Sequence, residues 1–240
     1  MPIKIALAGN PNSGKTTLYN LLTGGREVTG NRPGVTVSVK ESSPLPRGDI
    51  TFADLPGIYS LSPYSTEEAI ARNYLKENHI DVILNIVDGT RLERSLYLTT
   101  QLVELNMPVV IAVNMSDEVR KRGGEIDFEK LTEITGCTAV PISASKNEGI
   151  KEMLDACKTA ARARAAPKNK TTFTTPDERY KYISAAMDSL FKTRMTRGTL
   201  SGKTDNILLG KYTAFPIFIA VMLFVYFISI SAVGSFFSEA

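Results

Sequence analysis

The octapeptide Gly9-Asn-Pro-Asn-Ser-Gly-Lys-Thr16 fits the pattern G-x-x-x-x-G-K-[ST], and its setting leaves few folds open. An apolar run, Ile3–Ala8, precedes it, and the helical pattern Thr17-Leu-Tyr-Asn-Leu-Leu22 follows. A strand that ends in a glycine-rich turn and re-enters as a helix aims backbone N–H groups and the positive helix end at one point. That arrangement suits phosphate oxygens. Gly9, Asn10, Pro11, Asn12, Ser13, Gly14, Lys15, Thr16 and Thr17 are therefore candidate phosphate-loop residues. Lys15 is expected to reach the outer phosphates, and Thr16 to place its hydroxyl on Mg²⁺.

The same alternation runs on. Val35–Val39, Ile50–Ala53, Val82–Val87, Val109–Val113 and Ala139–Ile142 read as strands. Thr66–Asn78, Leu92–Leu105, Phe128–Thr135 and Gly149–Arg164 read as helices. This predicts an α/β fold with a mostly parallel sheet covered on both faces. Ligands of such sheets bind beyond the carboxyl ends of the strands.

Three further motifs fall at predicted strand ends. In Asp54-Leu-Pro-Gly57 the carboxylate can hold Mg²⁺ through water, and the Gly57 N–H can sense a terminal phosphate. In Asn114-Met-Ser-Asp117 the Asp117 carboxylate is placed to accept two N–H bonds from a guanine edge. Adenine lacks that donor pair, and an unpaired buried carboxylate is costly, so the site selects guanine. Met115 stands where many GTPases have a lysine stacked on the base. In Ser143-Ala-Ser145 the Ala144 N–H can bond the guanine carbonyl. Four motifs in this order predict a P-loop GTPase that binds GTP/GDP with Mg²⁺. Ile58 occupies the position where many switch GTPases carry a water-orienting glutamine, and it can neither donate nor accept. Charge developing in phosphoryl transfer must be stabilised another way. Asn12 offers a side-chain oxygen that could hold a monovalent cation near the phosphates. A turn-capping role is its alternative.

A formal net charge of +3 and the lack of a basic appendage speak against a nucleic-acid partner. Cys137 and Cys157 have no partners at metal-ligand spacing and read as ordinary reduced residues; His79 reads as a surface residue. MPIKIALAG enters a strand directly, which predicts a cytoplasmic G domain.

Composition changes after Arg164. Residues 165–176 read as a linker and Asp177–Met195 as an amphipathic helix. Ala214–Phe237 is almost wholly apolar and uncharged, long enough on sequence to span a bilayer. Pro216 falls in its first turn, where a missing N–H does no harm. Arg194, Arg197, Lys203 and Lys211 precede the segment and Glu239 follows it, so the N-terminal side is expected inside. The expected division is a G domain over 1–165, a linker and short helical segment over 166–211, and a transmembrane helix over 212–238.

These motifs, with Gly30-Asn-Arg-Pro-Gly-Val-Thr36, Asp54-Leu-Pro-Gly-Ile-Tyr-Ser-Leu-Ser-Pro-Tyr-Ser65 and Glu67-Glu68, resemble the N-terminal G domain of bacterial ferrous iron transport protein B over about residues 3–158. Lys211-Tyr-Thr-Ala-Phe-Pro-Ile-Phe218 resembles the entry to that family's first membrane helix. The resemblance implies that Gly34, Val35 and Thr36 lie at the nucleotide, with Thr36 on Mg²⁺. It implies that Asn12 ligates K⁺, helped by backbone carbonyls near Gly30 and Arg32, where the family usually has tryptophan. Asn12, Lys15, Thr36 and Gly57 are then the candidate catalytic residues. It further implies GTP hydrolysis serving Fe²⁺ uptake at the bacterial inner membrane, with the lipid bilayer, further transporter helices or subunits, and a second copy of the chain as partners. One membrane helix cannot enclose a path for a hydrated cation, so the chain alone is not expected to transport iron. A membrane-anchored GTP switch acting on a separate protein is the alternative.

Overall fold

Strands β4 (Val82–Asp88) and β5 (Val109–Asn114) are buried along almost their whole length. Near-continuous Val, Ile and Leu with both faces covered is the signature of the centre of a parallel sheet. In the computed structural model of the chain they sit there. The structure describes residues 3–25, 39–42, 50–62, 64–164, 166–167, 172–193 and 214–238, the side chains of 42, 214 and 228–238 excepted.

The sheet has the order β2-β3-β1-β4-β5-β7. Its members are β1 (Ile3–Gly9), β2 (Lys40–Ser42), β3 (Ile50–Asp54), β4, β5 and β7 (Thr138–Pro141). All neighbours pair in parallel except β2, which runs antiparallel along the β3 edge. The predicted α/β fold is the one observed. The expected strand at 35–39 lies outside the described residues except Val39, which precedes β2.

Helices cover both faces. α1 (Lys15–Thr23) and α6 (Ile150–Ala163) contribute Leu18, Met153 and Cys157 to a core with Leu7, Leu84 and Val110. On the opposite face α2 (Thr66–Glu77), α3 (Leu92–Glu104) and α5 (Phe128–Thr135) bury Leu75, Leu98 and Leu131 with Ile83 and Ile111. Side chains cap the starts of α2 and α5: Ser65 accepts from the Glu68 N–H and Asp127 from the Lys130 N–H. A short helix, α4 (Ser116–Lys121), and a two-residue strand, β6 (Glu125–Ile126), complete this region.

The compact unit runs through Met195, so it includes the helix after the linker. That helix, α7 (Pro176–Leu190), opens with a capping box in which Thr175 and Glu178 satisfy each other's backbone N–H groups. It ends earlier than the sequence suggests, because β8 (Phe191–Thr193) pairs antiparallel with β6. Arg179 anchors α7 on α3, donating to Thr100 Oγ1 and Glu104 Oε1, each at 2.8 Å. Both cysteines are buried and free, and burial pushes each thiol pKa up to about 12.

The apolar C-terminal segment belongs to a second unit and forms one helix, α8 (Ala214–Ser238). Among the described residues no helix is long and apolar enough to cross a membrane. The transmembrane helix expected over 212–238 is not supported among the described residues. The flanking charges Arg194, Arg197, Lys203, Lys211 and Glu239 lie outside the described residues.

Candidate functional site

The four motifs converge where the parallel strands end. The turn after β1 reverses tightly: Asn12 and Gly14 both have left-handed backbone, at φ 65° and 86°, and the Ser13 N–H donates to Asn10 O at 3.1 Å. Asparagine and glycine are the residues that tolerate this region. No side chain caps the first turn of α1. Its leading N–H groups face the turn, the arrangement that favours an anion.

Lys15 and Asp54 form an ion pair, with side chains 9% and 12% exposed. The two groups predicted for phosphate and Mg²⁺ are thus brought together from α1 and β3. The Leu55 N–H donates to Leu7 O and the Ile58 N–H to Gly9 O, both at 3.1 Å, which fixes the segment after Asp54 along the end of β1. Gly57 lies against Pro11 of the phosphate loop. The Ile58 side chain turns away into the core with Leu55 and Leu61. Beyond it, Glu68 Oε1 accepts from the N–H and hydroxyl of Ser60 at 3.2 and 2.8 Å. Gln101 Oε1 accepts from the Leu61 N–H at 2.7 Å.

Asn114 joins the phosphate and base sides. Its Nδ2 donates to Ser13 O at 2.8 Å, and its Oδ1 accepts from the Ala144 N–H at 3.0 Å. On sequence that N–H can bond the guanine carbonyl; in the structure it donates to Asn114. Met115 adopts left-handed backbone at φ 60°, and Ser116 locks the turn by donating through Oγ to Val113 O at 2.7 Å. Asp117 follows at the start of α4. Lys146 Nζ lies 2.9 Å from Asp117 Oδ2. The Lys146 ammonium, helped by the Ser143 hydroxyl, holds the Asp117 carboxyl below its ordinary value against the opposing effect of burial.

Lys146 and Gln101 are the residues that sequence reasoning missed. Lys146 follows Ser145 directly, so extending the Ser143-Ala-Ser145 motif by one residue would have found it. Gln101 sits inside an ordinary amphipathic helix and carries no signal. Gly30, Arg32, Gly34, Val35 and Thr36 lie outside the described residues. Among the described residues no three His, Cys, Asp or Glu side chains cluster for a metal. One carboxylate and a hydroxyl, Asp54 and Thr16, are hard oxygen donors of the kind Mg²⁺ takes when phosphates and water complete its shell. A groove of about 600 Å³ between α5, β7 and α6 lies by Val109 and Thr138, at the amino ends of their strands, and none of the four motifs lines it.

Comparison with known proteins agrees with this geometry. The family model for ferrous iron transport protein B matches residues 3–157. A Porphyromonas gingivalis Fe(2+) transport protein A/Fe(2+) transporter FeoB fusion protein is 48% identical over 156 residues, covering 64% of this chain and 18% of its own. The Fe(2+) transporter FeoB of Salmonella typhimurium is 44% identical over 156 residues, with 63% and 20% covered. The chain thus spans about a fifth of the length of these relatives. NFeoB from S. thermophilus bound to GDP.AlF4- and K+ superposes with a TM-score of 0.62 at 46% identity, covering 75% of this chain and 68% of that one.

Proposed function

The chain belongs to the ferrous iron transport protein B family, and on that premise we propose that it binds GTP and GDP and hydrolyses GTP as the cytoplasmic G domain of a ferrous iron transporter. The observation that carries the proposal is the double grip of Asn114. A single side chain ties Ser13 of the phosphate loop to Ala144 of the base loop, so the two ends of one nucleotide are held in fixed relation.

In this reading Gly9–Thr17 cradles the phosphates, with Lys15 on the outer oxygens. Lys15 exchanges its contact with Asp54 for phosphate, and the Asp54 carboxylate turns to Mg²⁺. Thr16, Asp54 and Thr36 hold Mg²⁺, which neutralises phosphate charge when bound. Gly34 and Val35 lie beside the nucleotide, and Gly57 donates its N–H to the terminal phosphate. Asp117 reads the guanine edge, Met115 contacts the base, and Ser143 and Ser145 shape the loop behind it.

K⁺ is assigned to Asn12 and to backbone carbonyls near Gly30 and Arg32 on the sequence resemblance; that NFeoB from S. thermophilus is bound to GDP.AlF4- and K+ supports K⁺ as the cation. Water attacks the terminal phosphorus and the bond to the β-phosphate oxygen breaks, with no side chain at Ile58 able to orient the water.

The relatives' names as Fe(2+) transporters support a role in iron uptake at a bacterial inner membrane, in company with further membrane helices or subunits. The domain limits 1–165 and 166–211 are proposed on the sequence reading. The decisive experiment measures binding of GTP, GDP and ATP to the purified chain, and phosphate release from GTP with and without Mg²⁺. Guanine-selective binding with Mg²⁺-dependent release supports the function; equal affinity for ATP and GTP refutes it.

A further inference from the structure

We propose that Lys146 competes with the guanine base for the Asp117 carboxylate, and so sets how tightly this chain holds GDP and GTP. The inference rests on the reading of Asp117 as the guanine acceptor.

A carboxylate that reads guanine uses both oxygens, one for each donor of the base edge. Here Lys146 Nζ lies 2.9 Å from Asp117 Oδ2, the one charged partner of a carboxylate that the Ser143 hydroxyl and the Glu118 N–H also bond. The Asp117 side chain is only 12% exposed, which leaves little room for a second donor beside the ammonium. Lys146, at 45% exposed, sits on the solvent side of the pair and is the partner that can leave.

The backbone makes this a side-chain exchange and not a loop movement. Ser143 and Glu148 exchange backbone hydrogen bonds at 3.0 and 3.1 Å, and the Lys146 N–H donates to Ser143 O at 3.2 Å. Asn147 supplies the left-handed residue that closes this turn, at φ 57°. The Lys146 backbone is therefore held in place while its flexible stem is free to swing. Glu148, which pairs with Arg120 at 3.2 Å, lies close enough to attract a displaced ammonium. Nucleotide binding then replaces one charge-assisted bond to Asp117 with two from the base. Breaking the ion pair is a cost that every bound guanine nucleotide bears.

Equilibrium affinity and dissociation rate of GDP on the 240-residue chain test this, with Lys146→Met, Lys146→Gln and Lys146→Arg beside wild type. Methionine keeps most of the stem and removes the charge. Lys146→Met and Lys146→Gln should bind GDP about two- to fivefold tighter, the range expected for releasing a partly exposed ion pair. Lys146→Arg should stay near wild type. The gap between wild type and Lys146→Met should shrink in roughly 1 M salt, which screens the pair. Unchanged or weaker GDP binding in both neutral variants overturns the proposal and leaves Lys146 as a stacking or structural residue. Asp117→Asn separates the two levels. If it keeps wild-type preference for GDP over ADP, the guanine reading itself fails. If preference is lost while the neutral Lys146 variants do not tighten, only the competition fails.

Discussion

A Cβ placed on Gly14 would lie 2.1 Å from Nδ2 of Asn114. The last loop residue before α1 and the first residue of the base-reading motif are therefore in direct contact, a hundred positions apart in sequence. Gly14 is also left-handed at φ 86°. Gly14→Ala combines backbone strain of about 1–2 kcal/mol with a clash that Asn114 cannot avoid without dropping its bond to Ser13. The expected outcome is a lower melting temperature and loss of measurable GDP binding. Asn114→Ala removes both bonds of the bridge and leaves the Ala144 N–H buried without its acceptor. It should cost about 1–3 kcal/mol in urea denaturation.

Asp117→Asn should weaken GDP binding by one to several kcal/mol, on the order expected when a charged acceptor becomes a mispaired donor. The pH dependence follows from the direction of the Asp117 shift. Its folded-state pKa is depressed below 3.8 by Lys146. The stability it contributes is fully present above 3.8 and is lost only as pH falls through the lower folded value. Stability and GDP affinity should show no loss attributable to Asp117 between about pH 8 and 5. Lys146→Met leaves the burial and removes the counter-charge, so the acid limb should move to higher pH. Chemical denaturation and GDP titration across pH check both.

The Arg179 side chain is 7% exposed and that of its partner Glu104 29% exposed. The ring of Phe173 lies 4.8 Å below the guanidinium. Arg179→Ala removes the charge and leaves Glu104 and Thr100 without their donor. A loss of about 3 kcal/mol is expected, near the lower end for breaking a buried pair. Limited proteolysis should then cut first around α7. Wild-type stability in Arg179→Ala would show that α7 does not depend on this contact.

The sheet was legible because its strands carry their own burial pattern: 82–88 and 109–114 have no other fold to enter. The phosphate and base motifs were legible for a similar reason, since each lies at a strand end where backbone geometry demands particular residues. What sequence could not show were contacts made by ordinary polar side chains across long separations. Gln101 meets Leu61 only because α3 packs beside the segment after Asp54. Asn114 takes the Ala144 N–H only because β5 and β7 end side by side. The stop of α7 at Leu190 was hidden too, because β8 exists by virtue of a two-residue partner, β6, with no pattern of its own. The apolar run after residue 213 did form a helix, while the inference from its composition to a membrane span is not supported among the described residues.

Asn12 is exposed in the phosphate loop, whereas the Ile58 side chain is buried. Ile58 is 1% exposed and packs in the core; only its backbone N–H meets the phosphate loop, at Gly9 O. Ile58→Gln would bury an amide among Leu55 and Leu61 and would not point it at the nucleotide. It should therefore destabilise the fold by about 1–3 kcal/mol and fail to accelerate hydrolysis. Ile58→Ala should cost about 2–5 kcal/mol through the cavity it leaves, a stability effect with no direct catalytic part. Asn12 holds left-handed backbone at φ 65° in the turn itself. A K⁺ held there suits flexible oxygen ligands that replace its hydration shell, and a smaller ion fits them poorly. Wild-type GTP hydrolysis should run faster in K⁺ than in Na⁺. Asn12→Ala should abolish that difference while GDP binding persists, at some loss of stability because alanine tolerates the left-handed turn less well. Asn12→Gly relieves that strain and still lacks the oxygen, so it should recover stability without recovering K⁺ stimulation. Stimulation that survives in Asn12→Gly would place the cation elsewhere.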